Sequence, residues 1–230
     1  KNINEKFLKL LGKSAQIFLI PDTKRLWKNK AKKFAEEIIK KNKPDVLFAT
    51  APPYTDFLLG YELSVKYNIP LVIDYRDAWV DCPYNFYPTP FHKRANEKYE
   101  KKILEHANKV ITINQKIKDL ILERYGNYLN GKIEIISQGF DAEDFETKIF
   151  HQDRKMKILY AGSFFHFMTP EYFFKGVRIA FEKKPEMKEN LVLEFAGYFP
   201  DMYKPNDITN IKYWGYLPHV ECTKKMLEAD

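Results

Sequence analysis

Cysteine is nearly absent: Cys82 and Cys222 are the only two in 230 residues, far apart and without a Cys-x-x-Cys pattern or metal-ligand spacing. That scarcity fits a reducing, cytoplasmic setting. Long apolar runs are missing as well, since no uninterrupted stretch approaches the roughly 20 residues needed to span a bilayer. No signal peptide is visible, and the chain begins Lys1-Asn2-Ile3 without an initiator Met, which reads as a fragment. Neither G-x-G-x-x-G nor G-x-x-x-x-G-K-S/T occurs, so dinucleotide-fingerprint and P-loop readings fail. There is no G-x-S-x-G elbow, and nothing in the sequence pairs Cys82 with His92, so nucleophilic hydrolysis finds little support. No His, Cys, Asp and Glu cluster has metal-ligand spacing. Solenoid-length repeats and low-complexity tracts are also lacking.

What remains is ample core material, with 45% hydrophobic, 16% aromatic and 30% charged residues. A formal charge of +7 and a pI near 9.1 imply attraction to something anionic: nucleic acid, a lipid surface or a phosphorylated small molecule. From Thr23 to Lys41 the apolar residues Trp27, Ala31, Phe34, Ala35, Ile38 and Ile39 recur at helical spacing. Lys28, Lys30, Lys32, Lys33, Lys40 and Lys41 crowd the rest. The apolar set is expected to face the core, and the basic set to be either a solvated face or a contact for an anionic membrane. With Trp27 and Phe34 assigned to the buried face, the helix offers charge without exposed aromatics, which argues against nucleic acid.

Along the chain, residues 3–11 read as a short helix stopped by Gly12, and Asp45–Thr50 as a buried strand. Ala51-Pro52-Pro53-Tyr54 then turns into a helix capped by Thr55 and running to about Tyr67. A strand at Leu71–Asp74 follows, so strand, helix and strand arrive in the order of a parallel crossover. Residues 80–91 read as a long loop ending at His92. Next come a helix over about Lys93–Ala107, a strand at Lys109–Ile113, a helix over Gln115–Tyr125 closed by Gly126, and a strand at Ile133–Ile136. The polar stretch 143–154 carries the expected domain boundary, giving domains 1–150 and 151–230. The pattern restarts with strands at Met156–Tyr160, Leu191–Phe195 and Ile211–Trp214, each ended by glycine. A helix opens at Thr169-Pro170 and another near His219.

The segment Pro70-Leu71-Val72-Ile73-Asp74-Tyr75-Arg76-Asp77-Ala78-Trp79 breaks from an apolar run into charged and aromatic residues. In open α/β sheets that is where ligands sit, outside the carboxyl ends of the strands. Gly162, Gly197 and Gly215 follow successive strands, and the Gly162-Ser163 turn offers backbone N–H groups to an anion.

In their joint order and spacing these marks resemble family 4 glycosyltransferases of the GT-B fold. The marks are Pro21-Asp22 with Trp27, Ala51-Pro52-Pro53, Ile69-Pro70 with Asp74 to Trp79, Gly139-Phe140-Asp141, Tyr160 to Ser163, Phe195 to Gly197, and Gly215 to His219. The resemblance implies an α/β architecture of two Rossmann-like domains, the second incomplete. The implied reaction is transfer of a sugar from a nucleotide-sugar donor to an acceptor hydroxyl with retention of configuration, in cell-envelope or exopolysaccharide assembly. The nucleotide-sugar is a co-substrate, and no metal or other cofactor is called for. Asp74, Arg76 and Asp77 map to the strand end facing the reacting sugar. Gly162 and Ser163 map near the donor diphosphate, Gly197 to the donor side, and Gly215, Tyr216, Leu217 and Pro218 near the base. Pro52, Pro53, Tyr54, Trp79 and His92 fall on the acceptor side.

The implied partners are the donor and a glycan or lipid-linked acceptor, with peripheral contact to the inner face of the cell membrane and no nucleic acid. Three departures stand out. The family's paired glutamates and the opening strand with its glycine-rich loop are not in this stretch, and Ser137-Gln138 replaces the usual Pro-Asn. These 230 residues alone are therefore expected to be inactive. A nucleotide-sugar epimerase on the same fold and a non-catalytic binding module are the alternatives.

Overall fold

The structure is a computed structural model that describes residues 17–145, 155–164 and 168–230. The expected helix over 3–11 and most of the polar stretch 143–154 lie outside those residues. The chain divides between Gln138 and Gly139 into two compact units. In the first, α1 (Arg25–Lys41), β1 (Leu47–Ala51), α2 (Thr55–Tyr67) and β2 (Leu71–Tyr75) are followed by α3 (Pro90–His106), β3 (Lys109–Thr112), α4 (Gln115–Tyr125) and β4 (Ile133–Ile135). Its four strands are all parallel, in the order β1-β2-β3-β4. Ala49, Ile73, Val110 and Ile133 stand side by side across the sheet, and all four are buried.

The two faces of this sheet are not equally covered. Leu71, Ile73 and Tyr75 are fully buried, while Val72 and Asp74 between them are only partly so. The better covered face packs against α2, where Gly60 sits so close that a Cβ there would meet Ala49 and Leu71 at 3.1 Å. Gly126 closes α4 with φ of 109°, the role its sequence position indicates.

Three sequence expectations are corrected in this unit. On α1, Trp27, Phe34 and Ile38 are exposed, and the helix instead turns Lys28, Ala35 and Ile39 toward α2. Lys28 tolerates burial because its ammonium bonds Glu62 of α2, which Lys32 also reaches at 2.6 Å. Burial works against the Glu62 charge, but the two lysines outweigh it and hold the carboxyl below its ordinary value. Thr55 is not a cap: it is the first helical residue, buried, and its N–H and hydroxyl donate to Asp22 at 2.9 and 2.8 Å. His92 does not end a loop, because α3 begins at Pro90 and takes His92 into its first turn.

The second unit holds β5 (Met156–Ala161), α5 (Glu171–Lys183), α6 (Met187–Asn190), β6 (Leu191–Ala196), β7 (Ile211–Gly215) and α7 (His219–Leu227). The strands are parallel in the order β5-β6-β7. Phe174, Val177 and Phe181 of α5 cover Leu191, Leu193 and Phe195. Phe195 is the centre of an aromatic cluster, with Phe199 at 4.7 Å and Tyr213 at 5.7 Å between centroids. No helix among the described residues is long and apolar enough to cross a membrane.

Two outcomes follow from this packing. Gly197 has φ of 123°, and a Cβ there would stand 2.2 Å from the Gly162 carbonyl oxygen. Gly197→Ala is expected to destabilise the second unit by about 3 kcal/mol or more, since positive φ and a backbone clash add. Faster amide exchange in β5–β7 than in the parent protein is the readout; unchanged exchange contradicts the close approach. In the first unit, Glu100 is 3% exposed and accepts a 2.7 Å bond from the Tyr125 hydroxyl. Burial pushes its carboxyl up to about 7 from 4.5, against the lowering pull of Tyr125. The fold therefore favours the neutral acid, a stabilisation complete below pH 4.5 and lost as pH rises through 7, worth up to about 3 kcal/mol. Urea midpoints measured from pH 5 to 8 are expected to fall in the parent protein and to stay flat for Glu100→Gln.

Candidate functional site

The carboxyl ends of β1 and β2 lie side by side, and the chain leaves each through the residues singled out by sequence. Asp74 pairs in register with Thr50 and accepts its hydroxyl at 2.8 Å. The Arg76 N–H donates to the Ala51 carbonyl at 3.0 Å, and its guanidinium donates to the Pro52 carbonyl. Asp77 is exposed and has no hydrogen-bond or ion-pair partner among the described residues. The three charged groups are thus brought to one strand end, two of them already engaged.

Below them lies an aromatic floor. Trp79 is 1% exposed, stacks on Tyr54 at 4.8 Å with 8° between planes, and donates its indole N–H to Asn96 at 2.9 Å. Trp79 therefore supports the site through Tyr54 and does not itself line the neighbouring cavity. Tyr54 gives its hydroxyl to the Ala78 carbonyl at 2.7 Å, and burial pushes that phenol far above its ordinary value, with nearby Asp77 adding to the effect.

Beside this floor is a cavity of about 380 Å³. Residues 19–24 and Tyr84 to Pro88 form two of its walls, and Pro52, Pro53, Tyr54, His92 and Asn96 complete it. Four of the five acceptor-side residues read from sequence thus meet in one cavity. Its polar groups are mostly engaged internally. Asn85 donates to the Trp79 carbonyl at 2.6 Å, and Asn96 donates to the His92 carbonyl at 2.8 Å. Both ring nitrogens of His92 are used, toward Thr89 Oγ1 at 2.8 Å and the Ile17 carbonyl at 2.9 Å.

The wall at 19–24 is held at two points, each at a helix start. His92 in the first turn of α3 holds Ile17, and Asp22 supplies the carboxylate that caps α2 through Thr55. An acid at a helix N-terminus meets both the free N–H groups and the positive end of the dipole. Burial, with the Asp22 charge beside it, raises the Asp56 carboxyl above its ordinary value, Arg76 pulling the other way. Sequence reasoning noted Pro21-Asp22 only as a family mark and assigned no role to Asn85, Tyr87 or Asn96. The unusual length and aromatic content of the 80–91 stretch was the available signal.

In the second unit the three glycines meet at the carboxyl edge of the sheet. Gly162 N–H donates to Ala196 at 2.8 Å, and Gly197 N–H donates to Gly215 at 2.6 Å. The Ser163 hydroxyl accepts from Tyr198 N–H at 3.1 Å, so it fastens the turn after β5 to the turn after β6. Gly215 has φ of 67° with open space where a Cβ would stand, and Tyr216 beside it is 80% exposed. None of Gly162, Ser163, Gly197, Gly215, Tyr216, Leu217 or Pro218 lines the apolar cavity of about 250 Å³ between Tyr160, Phe173 and Phe195. They form an open edge instead. Among the described residues, no group of three His, Cys, Asp or Glu side chains is placed to share a metal ion.

Comparison with solved structures gives the same architecture. Sucrose-phosphate synthase from Thermosynechococcus elongatus superposes with a TM-score of 0.58 at 15% identity, over 87% of this chain and 52% of that one. A Listeria monocytogenes protein assigned as a UDP-N-acetylglucosamine 2-epimerase gives a TM-score of 0.50 at 15% identity, over 88% of this chain and 55% of that one. The chain therefore spans about half the length of the solved structures it matches. No curated protein sequence matches it. The family model described as Glycosyltransferase Family 4 matches residues 9–144, more than half the chain and the whole of the site built on β1 and β2. The chain belongs to Glycosyltransferase Family 4, and its two parallel α/β units are Rossmann-like units of the GT-B type.

Proposed function

We propose that this chain is part of a retaining glycosyltransferase that moves a sugar from a nucleotide-sugar donor to an acceptor hydroxyl, in cell-envelope or exopolysaccharide assembly. The observation that carries the reading is family membership over residues 9–144, with Asp74, Arg76 and Asp77 gathered at one strand end inside that span. The first unit takes the acceptor in the cavity beside Pro52, Pro53, Tyr54 and His92. The second binds the donor along its glycine edge, diphosphate near Gly162, Ser163 and Gly197, base near Gly215 to Pro218. The enzyme works in the cytoplasm, in peripheral contact with an anionic membrane, on a glycan or lipid-linked acceptor. The nucleotide-sugar serves as co-substrate, with no metal.

In the reaction the acceptor oxygen bonds to the anomeric carbon as the bond from that carbon to the diphosphate oxygen breaks. The diphosphate leaves with the electron pair and takes up the acceptor proton. Asp74 is engaged by Thr50 and Arg76 by Pro52, so Asp77 is the carboxylate we assign to orient the acceptor hydroxyl, with Asp74 fixing the strand end. Arg76 balances the charge that develops on the departing phosphate. A second reading, a nucleotide-sugar epimerase, draws on the fold shared with the Listeria protein, and would need the donor edge but no acceptor cavity.

Titration calorimetry with UDP-, GDP-, ADP- and dTDP-sugars tests the donor half directly. One nucleotide is expected to bind selectively. Tyr216→Ala, a change at an exposed side chain with little cost to folding, is expected to weaken that binding by about tenfold, or 1.4 kcal/mol. Absence of binding by every nucleotide-sugar, or equal affinity in the Tyr216 variant, contradicts the donor edge.

A further inference from the structure

Helix α1 has two apolar stripes, and only one is used by the fold. The inner stripe, with Lys28, Lys32, Ala35 and Ile39, faces α2, and both its lysines pair with Glu62. The outer stripe leaves Leu26 75%, Trp27 50%, Phe34 57% and Ile38 65% exposed. Positions 27, 34 and 38 fall on one line of the helix, because 7 and 11 residues are close to two and three turns. Lys41, Lys30 and Lys33 stand at increasing distance along one side of that line, are exposed, and have no ion-pair partner among the described residues. Glu37 is the one acid on the outer face.

An exposed line of Trp, Phe and Ile has no reason to be soluble on its own, and its basic flanks select what can cover it. A helix with aromatic and aliphatic residues on one line and lysines beside it lies in a lipid interface, with the rings at headgroup depth and the ammonium groups at anionic phosphates. We propose that the outer stripe of α1 is a membrane-docking element that seats the first unit on a surface of anionic lipid. The proposal deepens the membrane clause of the function stated above, from which it takes the idea of a membrane-borne acceptor. The docking itself does not depend on transferase activity.

The stripe begins where the cavity ends. Thr23 and Lys24 line the cavity, and α1 starts at Arg25, so docking through Leu26 and Trp27 sets this wall of the cavity beside the lipid headgroups. An acceptor carried on a lipid would then enter along the membrane plane, and the acceptor class is a lipid-linked one with an anionic headgroup.

Vesicle flotation provides the test, using phosphatidylcholine vesicles with and without about one-third phosphatidylglycerol, read by sedimentation and by tryptophan emission. The parent protein is expected to float only with the anionic vesicles and to shift its emission to the blue. Lys30→Glu/Lys33→Glu/Lys41→Glu should lower partitioning on the order of a hundredfold, at about fivefold for each lysine. Trp27→Ser/Phe34→Ser/Ile38→Ser should lower it by about tenfold or more and abolish the blue shift. All six positions are exposed, so both variants should keep the parent circular dichroism. Failure to float with anionic vesicles, or flotation of the apolar variant equal to the parent, overturns the proposal. So does a stripe buried in a dimer, or by residues 1–16, with no lipid binding. Salt-sensitive binding to duplex DNA without vesicle binding would make nucleic acid the partner and overturn it equally. Nucleotide-sugar calorimetry is a separate readout, so loss of docking and loss of the donor site are distinguishable.

Discussion

The stack of Tyr54 on Trp79 is the contact on which the first unit's site depends. Tyr54 directly follows the two prolines that end β1, and Trp79 closes the charged segment that ends β2, so one ring pair joins the exits of two neighbouring strands. The same indole reaches α3 through Asn96, and its backbone carbonyl receives Asn85 from the next loop. A fully buried aromatic with its N–H satisfied is stiff as well as stabilising. Arg76 and Asp77 lie two or three residues before it, and their exits from the strand are set by where Trp79 must go.

Strand ends in a parallel sheet are crowded because every chain leaves by the same edge. The two units meet that crowding with different chemistry. In the first, prolines set the direction of the chain, Arg76 binds the Pro52 carbonyl, and Asp22 caps α2 from outside the crossover. In the second, the chains come so close that only glycine fits at 197, and Ser163 binds across to Tyr198. Gly197 is thus needed for the backbone contact itself, whereas a Cβ at Gly162 would meet the Tyr160 ring at 3.0 Å. Gly215 differs from both: at φ of 67° it has open space where a Cβ would stand, so its positive φ and not a neighbour is what calls for glycine there.

Local signals in the sequence carry much of this fold. The helix Gln115–Tyr125 and its Gly126 closure, and the core strands from Leu71, Lys109, Ile133, Met156, Leu191 and Ile211, are set by apolar runs and caps within a few residues. What the sequence hides depends on partners far away in the chain. Thr55 looks like a cap until Asp22, 33 residues earlier, takes that role. His92 looks like a loop end, but Pro90 and Thr89 start a helix around it. Trp79 falls on the acceptor side by resemblance, and its burial comes from Tyr54 and from Asn96, 17 residues on, which takes its N–H. On α1 the periodicity finds an apolar line without saying which way it faces. Glu62 bears on that choice by giving Lys28 and Lys32 a partner on α2, without which a buried ammonium would be strongly unfavourable.

That decision links the charge of the whole chain to its candidate site. A surplus of seven positive charges says only that something anionic is attracted. Pairing then removes some lysines from the account: Lys28 and Lys32 are spent on Glu62, and Lys66 on Glu36. The unpaired remainder on α1 stands beside exposed Trp27 and Phe34, next to the cavity wall at Thr23 and Lys24. Within the site the same accounting singles out Asp77. Thr50 holds Asp74 and the Pro52 carbonyl holds Arg76, and a group already held gains less from a ligand because it must give up a bond to make one. Under the proposed function, Asp77 is thus the carboxylate that can meet an acceptor without first breaking a bond, while the cavity beside it contributes the aromatic rings of Tyr54, Tyr84, Phe86 and Tyr87.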